Sequence, residues 1–440
     1  MLTLCLTLLL LTIAPVSVAQ NNTSATSSLS EVLAAYANLS SFDTLMREQL
    51  PELLKVLDED HDAEYNPITV LAPSNRALDR IQYNPALNKI WAENDTVAMS
   101  RVIGYHILGG KWTSETLDTS FSFLPSMTVG TNFSGVTGGQ RVGAVLQNGD
   151  PEKGFKSEIV FLSGAAERSV VSIQDIPFAG GIVQVIDNPL NPPAPLVPTA
   201  ESFNLPNYPF AINSFLGALY STSDKTLQTY LNETKDITIF VPANVAFETV
   251  AGAITTMTNQ SRLDLLSYHV LPGSSLPNGG PLYSSDFQNA STLPMHNNQT
   301  ANMAFYPNSY FLNSARIVQS DVLIHNGVLH VIDVLLDPRE KDRVPNPTSA
   351  TQAPVLPAQT DGANFNVSIA PFTTWLPNYV PTDLPTSTST RRTSAAPTTS
   401  QTGTSSSGAG RTTAVHAAWP SVGAGWALLA VAAATVCLML

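Results

Sequence analysis

Apolar residues recur at helical spacing from Leu29 to Leu39 and again from Phe42 to Leu57, with Ser28, Ser30 and Ser41 placed to cap the helices that this spacing predicts. The pattern then changes. Ile68-Thr-Val-Leu-Ala-Pro73 is a short β-branched run closed by proline, which has no N–H to give a strand ladder. Asn75 follows, where its side-chain oxygen can accept a free first-turn N–H of the next helix. Gly181 to Asp187 and Gly327 to Asp333 are continuous apolar runs of strand length, which predicts strands covered on both faces. Helical spacing returns from Phe210 to Leu231.

These patterns belong to one unit written twice. Ile68-Thr-Val-Leu-Ala-Pro-Ser-Asn-Arg-Ala-Leu78 returns as Ile237-Thr-Ile-Phe-Val-Pro-Ala-Asn-Val-Ala-Phe247, with Asn244 in the place of Asn75. Tyr105-His106-Ile107-Leu108 returns as Tyr268-His269-Val270-Leu271, and Gly181-Ile-Val-Gln-Val-Ile-Asp187 returns as Gly327-Val-Leu-His-Val-Ile-Asp333. Asp175 and Asp321 stand equally far ahead of the last block. Three matched blocks in one order define a tandem repeat. Between the copies, Asn188 to Pro198 carries enough proline to predict a stiff, extended connector.

The two ends read differently from the repeats. Leu2 to Ile13 is an apolar leader followed by Ser17-Val18-Ala19, small residues where a signal peptidase cuts, so cleavage after Ala19 is expected; a retained anchor is the other reading. Trp426 to Leu440 is apolar to the last residue with no basic cluster behind it, preceded by a polar stretch and by Ser405-Ser406-Ser407-Gly408-Ala409-Gly410. Small residues, spacer and apolar tail are the parts of a GPI attachment signal, with Ser407 or Gly408 as the lipid-bearing residue; an ordinary tail-anchoring helix is the alternative. Both cysteines, Cys5 and Cys437, lie in these terminal segments, so maturation leaves a protein without disulfides.

Composition narrows the function classes. The 440 residues are 43% hydrophobic and only 12% charged, which fits globular cores joined by uncharged linkers. A net charge of −13 and basic residues that never cluster beyond pairs argue against a nucleic-acid partner. Asn-x-Ser/Thr sequons at Asn21, Asn22, Asn38, Asn94, Asn132, Asn232, Asn259, Asn289, Asn298 and Asn366 point to a glycosylated ectodomain. Beyond Pro338 the chain becomes rich in Pro, Thr, Ser and Ala, most densely from Pro381 to Gly410, a composition suited to an O-glycosylated stalk.

On the three repeated blocks the chain resembles the fasciclin (FAS1) family of extracellular adhesion domains. The second unit carries the family's Thr-Val-Phe-Ala-Pro-Thr-Asn-x-Ala-Phe-like motif, its Tyr-His pair, and its Asn-Gly-x-x-His-x-Ile-Asp motif at Asn326 to Asp333. The first unit departs from it at Leu78, Gly109 and Gln184, where the second has Phe247, Pro272 and His330. The resemblance implies an α+β fold, two tandem FAS1 domains each with a β-sandwich-like core and packed helices. It also implies a layout like that of fungal GPI-anchored surface proteins, which plant relatives share. The resulting division is signal peptide 1–19, first domain 26–190, Pro-rich linker 191–203, second domain 204–338, stalk 339–407 and removed attachment signal 408–440.

Catalytic chemistry finds little support. His325 and His330 are five residues apart on one strand pattern, so their side chains face opposite ways and cannot share a metal; His330 reads as a core histidine. Tyr105-His106 and Tyr268-His269 read either as internal braces or, as proposed for animal members of the family, as part of a contact surface. No nucleophile elbow, His-Glu-x-x-His helix or phosphate loop is present. The aspartates shared by the units, Asp175/Asp321 and Asp187/Asp333, suit turn or capping roles. The expected function is non-enzymatic adhesion or matrix contact through surface proteins or glycans, with a membrane reached by a lipid anchor, no nucleic acid and no cofactor. A polysaccharide-binding wall protein is the second reading and a cryptic secreted hydrolase the third.

Overall fold

In a computed structural model, residues 27–59, 64, 66–129, 133–149, 156–203, 209–306, 309–357 and 370–377 are described. The leader, the sequons at Asn21, Asn22, Asn132 and Asn366, the candidates Ser407 and Gly408, and the apolar tail lie outside them. Strands β1 (Ile68–Pro73), β2 (Ile107–Gly109), β3 (Ser122–Pro125), β4 (Arg141–Gln147), β5 (Glu158–Leu162), β6 (Arg168–Phe178) and β7 (Gly181–Ile186) form one sheet in the order β2-β1-β7-β6-β5-β4-β3. The second unit repeats this order with β8 (Ile237–Pro242), β9 (Val270–Pro272), β10 (Thr292–Pro294), β11 (Thr300–Tyr306), β12 (Ser309–Leu312), β13 (Ala315–Ile324) and β14 (Gly327–Ile332). In both, the first strand runs parallel to the last and every other pairing is antiparallel. Met127 N donates to Ile107 O at 2.8 Å and His296 N to Val270 O at 2.7 Å, so the chain after β3 or β10 comes back beside β2 or β9 and curls the sheet towards a barrel.

Six helices precede or interrupt each sheet: α1 (Leu29–Ala35), α2 (Ser40–Glu48), α3 (Pro51–Glu59), α4 (Asn75–Asp79), α5 (Pro85–Ala92) and α6 (Thr96–Tyr105) in the first unit. Their counterparts are α7 (Leu196–Ser202), α8 (Asn213–Tyr220), α9 (Thr226–Glu233), α10 (Asn244–Glu248), α11 (Ala251–Thr255) and α12 (Asn259–Ser267). Ser28 caps α1 in a reciprocal box with Glu31. The apolar run expected from Phe42 to Leu57 is two helices, because Pro51 has no N–H to continue α2 and instead opens α3.

The central strands are buried along their whole length because each face meets a different core. Ile68, Val70 and Ala72 turn to the helices, where Leu33, Phe42 and Ile103 wait; Leu71 turns inward to Tyr105, Phe161 and Ile186. In the second unit Ile237, Ile239 and Val241 face the helices, and Phe240 faces the sheet interior with Tyr268 and Leu312. The parallel pairing leaves no room for a side chain at its start. A Cβ on Gly181 would stand 1.9 Å from Ile68 O, and one on Gly327 1.8 Å from Ile237 O.

Three features differ from the sequence reading. Asn75 does not cap its own helix: Ser74 does, accepting from Ala77 N, while Asn75 Oδ1 accepts from Ser41 N at 2.9 Å in the first turn of α2. Asn244 does the same for Ser214 N of α8 at 2.8 Å, so each asparagine joins the corner to a helix earlier in the chain. The proline-rich connector stays irregular only as far as Pro195, where α7 begins. Past Pro338, the chain to Pro357 packs on the second unit: Gln352 N donates to Asp333 Oδ2 at 3.0 Å, Arg316 Nη2 donates to Ser349 O at 2.7 Å, and Leu356 enters the helix-side core.

The units touch directly. Phe123 stacks on Tyr283 with centroids 4.3 Å apart, Gly135 N donates to His325 O at 2.9 Å, and Asp236 accepts from Thr137 N at 2.7 Å and from its hydroxyl at 2.5 Å.

Candidate functional site

Both Tyr-His pairs close the last turn of a helix, α6 or α12, and both lie inside the protein. His106 Nδ1 stands 2.8 Å from Val102 O, and Leu190 N donates to His106 Nε2 at 2.8 Å. His269 repeats this with Leu265 O at 2.9 Å and Leu336 N at 2.9 Å. Because Nε2 accepts, Nδ1 must carry the proton, which fixes one neutral tautomer. Burial pushes both imidazoles down to about 4, against the smaller opposing effect of the carbonyl contacts. Each ring therefore ties the end of a helix to the segment leaving the central strand.

The tyrosines brace the other direction. Tyr105 donates its hydroxyl to Arg141 O at 2.7 Å. Tyr268 donates to Thr300 O at 2.7 Å and accepts from Asn313 Nδ2 at 3.0 Å. Burial raises both phenols above their ordinary range. A pair held this way presents neither ring to solvent and can take no part in proton transfer with a substrate that stays outside.

A second shared network sits behind β7 and β14. Asp175 and Asp321 occupy bulges of β6 and β13 with φ of 57° and 60°, a left-handed conformation that turns the carboxylate out of the ladder. Asp175 Oδ2 accepts from Ser114 Oγ at 2.6 Å and Asp321 Oδ1 from Ser284 N at 2.8 Å, so each fastens the loop that follows the second strand of its unit. In the second unit Asp321 N donates to His330 Nδ1 at 3.2 Å and His330 Nε2 reaches Leu282 O at 2.8 Å. In the first, Gln184 Oε1 accepts from Asp175 N at 3.0 Å while its amide donates to Trp112 O at 3.0 Å and Asp175 Oδ1 at 2.7 Å. Asp187 and Asp333 accept from Val170 N and Arg316 N, both at 2.8 Å.

The shared polar residues are thus consumed by the fold. Among the described residues no group of three His, Cys, Asp or Glu side chains could hold a metal ion, and no helix is long and apolar enough to cross a membrane. The described sequons lie on the outside: Asn94, Asn232, Asn259, Asn289 and Asn298 are exposed and Asn38 is half-buried.

Two mixed barrels of identical strand order, each with a Tyr-His brace and an aspartate bulge, make a tandem pair of one α+β domain. A family model for the fasciclin domain matches residues 37–192 and 212–338, and the chain belongs to that family. It is 26% identical over 351 residues to a fasciclin-like arabinogalactan protein of Arthroderma benhamiae, an alignment covering 80% of this chain and 75% of the relative. It is 25% identical over 310 residues to the fasciclin-like arabinogalactan protein elcF of Phaeosphaeria nodorum, covering 70% of this chain and 88% of that one. Among solved structures, a FAS1 domain pair from the insect cell adhesion molecule fasciclin I aligns with 69% of this chain and 98% of its own length, at 16% identity and a TM-score of 0.32.

Proposed function

We propose that this protein is a non-enzymatic glycoprotein of the cell surface or wall, which makes adhesive or matrix contacts through the outer faces of its paired FAS1 units. The observation that carries the reading is the fate of the shared polar residues: both Tyr-His pairs, Asp175, Asp321 and His330 are tied to backbone or to neighbouring side chains of the fold, leaving the surface to do the recognising. The exposed sequons support a glycosylated surface, and the fungal relatives named as arabinogalactan proteins support a wall or surface setting. In this reading cleavage after Ala19 frees the amino terminus, and a lipid joined at Ser407 or Gly408 holds the stalk to the outer leaflet.

The test is a binding array of surface proteins and wall polysaccharides probed with the soluble ectodomain, run beside a cell-attachment assay. Saturable binding to a protein or glycan, with attachment blocked by that same molecule, is the expected result. Turnover of an activity-based hydrolase probe, lost on mutation of its labelled residue, would instead make the protein an enzyme. Mass spectrometry of the carboxyl-terminal peptide checks the anchor: an unmodified peptide ending at Leu440 would remove the lipid from the proposal.

A further inference from the structure

The first unit contains a cleft of about 500 Å³ between the start of α3, the outer face of α6 and the chain that follows β3. Leu50, Leu53, Val97, Met127, Val129 and Phe133 supply apolar walls. Two polar groups line it without a polar partner among the described residues, the exposed Arg101 and the Thr128 hydroxyl. The Arg101 guanidinium carbon lies 4.3 Å over the Phe133 ring, and among the described residues no carboxylate forms an ion pair with it. The Thr128 hydroxyl is buried with no hydrogen-bond partner among the described residues, although an unmet hydroxyl is costly. Gly104 keeps the floor open: the nearest atom to a Cβ built there is Thr128 Oγ1, at 3.9 Å.

The second unit shows what the same corner looks like when the protein fills it. Met127 and His296 make the same backbone bond to β2 and β9, so Thr128 corresponds to Asn297; Arg101 and Asp264 each stand four residues before the tyrosine of the Tyr-His pair. There His296 stacks on Tyr230 of α9 with centroids 4.0 Å apart, and Asn297 Nδ2 donates to Asp264 O at 3.3 Å. Helix, helix and returning chain are bridged by side chains of the unit itself. In the first unit the stack and the amide are missing, and a cation stands where the second has an acid.

We propose that this cleft is a binding site for a small apolar anion, an aliphatic or aromatic body carrying one carboxylate or sulfonate. Its volume lies in the range of small-molecule sites, about 300–1,000 Å³. The acid group lies against Arg101, whose guanidinium is already held over an aromatic face, and the Thr128 hydroxyl donates to it or to a second acceptor on the ligand. Glu52 also lines the cleft, in the first turn of α3, and repels an anion placed beside it, which confines the acid group to the α6 side. The net charge of −13 disfavours anions over the molecule as a whole, so binding here depends on the local cation.

The experiment titrates the purified ectodomain with 1-anilinonaphthalene-8-sulfonate and with N-phenyl-1-naphthylamine, an uncharged molecule of the same skeleton, while melting curves and near-UV dichroism confirm that each variant is folded. Wild-type protein should bind the sulfonate saturably at one site, with dodecanoate displacing it more effectively than dodecanol. Arg101→Met should weaken the sulfonate about tenfold and leave the neutral probe within about twofold. Ser100→Trp, which fills the cleft from α6, should abolish both; Gly104→Leu replaces it if that variant does not fold. Absence of saturable sulfonate binding up to about 1 mM would overturn the proposal. So would binding that survives the filled cleft, an equal loss of both probes in Arg101→Met, or displacement by apolar peptides but not by dodecanoate.

Discussion

The two units solve one structural problem with different side chains. Behind the central strand, the second unit uses His330 to accept from the backbone of its bulged aspartate and to donate to Leu282 O; the first uses Gln184 to do both jobs and adds a bond to the carboxylate itself. The loops they hold also correspond, since Trp112 N donates to Thr69 Oγ1 at 2.9 Å and Leu282 N to Thr238 Oγ1 at 2.7 Å. What the site requires is one acceptor and one donor about an imidazole's width apart. An amide supplies both at any pH, whereas the imidazole supplies them only while neutral. The units therefore share a geometry and differ in their response to acid.

Strand pairing is where the units should behave most alike and where the largest effect lies. Gly327→Ala puts a methyl group inside the contact distance of Ile237 O, and Gly181→Ala does the same at Ile68 O; the obstacle is backbone, which cannot swing aside as a side chain can. Each substitution should cost more than about 4 kcal/mol, read as loss of soluble, cooperatively melting ectodomain. A variant that melts within a few degrees of wild type would show that the parallel pair can open without loss, and the common architecture would need another basis.

Acid should separate the units. His106 and His269 are held near 4 in the folded state and rise to about 6.5 when unfolded, so the unfolded chain binds protons that the folded chain refuses. Stability is full above about pH 6.5 and falls as pH drops towards 4, by roughly 3 kcal/mol for each of these rings. His330, also lowered by burial and partly restored by Asp321, adds a third such ring, and it belongs to the second unit. Asp333 and Glu167, raised by burial, work in the opposite sense and soften the slope. Hydrogen exchange at pH 7.5 and pH 4.5 should show β14 losing protection before β7. Equal loss in both would erase the distinction drawn from Gln184 and His330.

The braces come next in size. His106→Ala and His269→Ala each strand a backbone N–H, of Leu190 or Leu336, and each should cost about 1–3 kcal/mol. Matching geometry predicts matching losses, and cell attachment should fall only as far as the folded fraction falls. His269→Ala protein with wild-type melting and lost attachment would move Tyr268-His269 from the interior scaffold to a contact surface.

How far the sequence exposed all this depends on the range of the interaction. The corner of Ile68 to Leu78, the all-apolar Gly181 strand and the helical role of Ser28 are local patterns, in which period and capping chemistry suffice. Asn75 carries an ambiguous signal, because a side-chain oxygen near a helix start looks the same in sequence whether it caps that helix or bonds one 34 residues earlier. Pro- and Ser-rich composition conceals the packing of residues 339–357: the apolar anchors are only Leu356 and its half-buried neighbour Val355, and Gln352 holds the segment by bonding both Asp333 and Asn346. The cleft of the first unit was invisible for a related reason. Met127 and Arg101 are unremarked residues until Tyr230, His296 and Asn297 show what the matching positions do when the cleft is closed.

The smallest effect gives the sharpest comparison. His330→Gln places the first unit's solution in the second, where the amide oxygen can accept from Asp321 N and the NH₂ can donate to Leu282 O. The loss is aromatic packing, since His330 lies 4.9 Å from Phe287 and 5.4 Å from Phe240, and an edge contact of this kind is worth about 0.5–1.5 kcal/mol. The new bond that an amide can make to the Asp321 carboxylate, as Gln184 makes to Asp175, offsets part of that loss. At pH 7.5 the variant should therefore lie within about 1 kcal/mol of wild type. The acid response should change more than the neutral stability: one titrating ring is gone, so denaturant titrations at pH 4.5 should find the gap to wild type closed or reversed. If the variant is instead destabilised by several kcal/mol at both pH values, the imidazole is needed for its shape, and the equivalence of Gln184 and His330 fails.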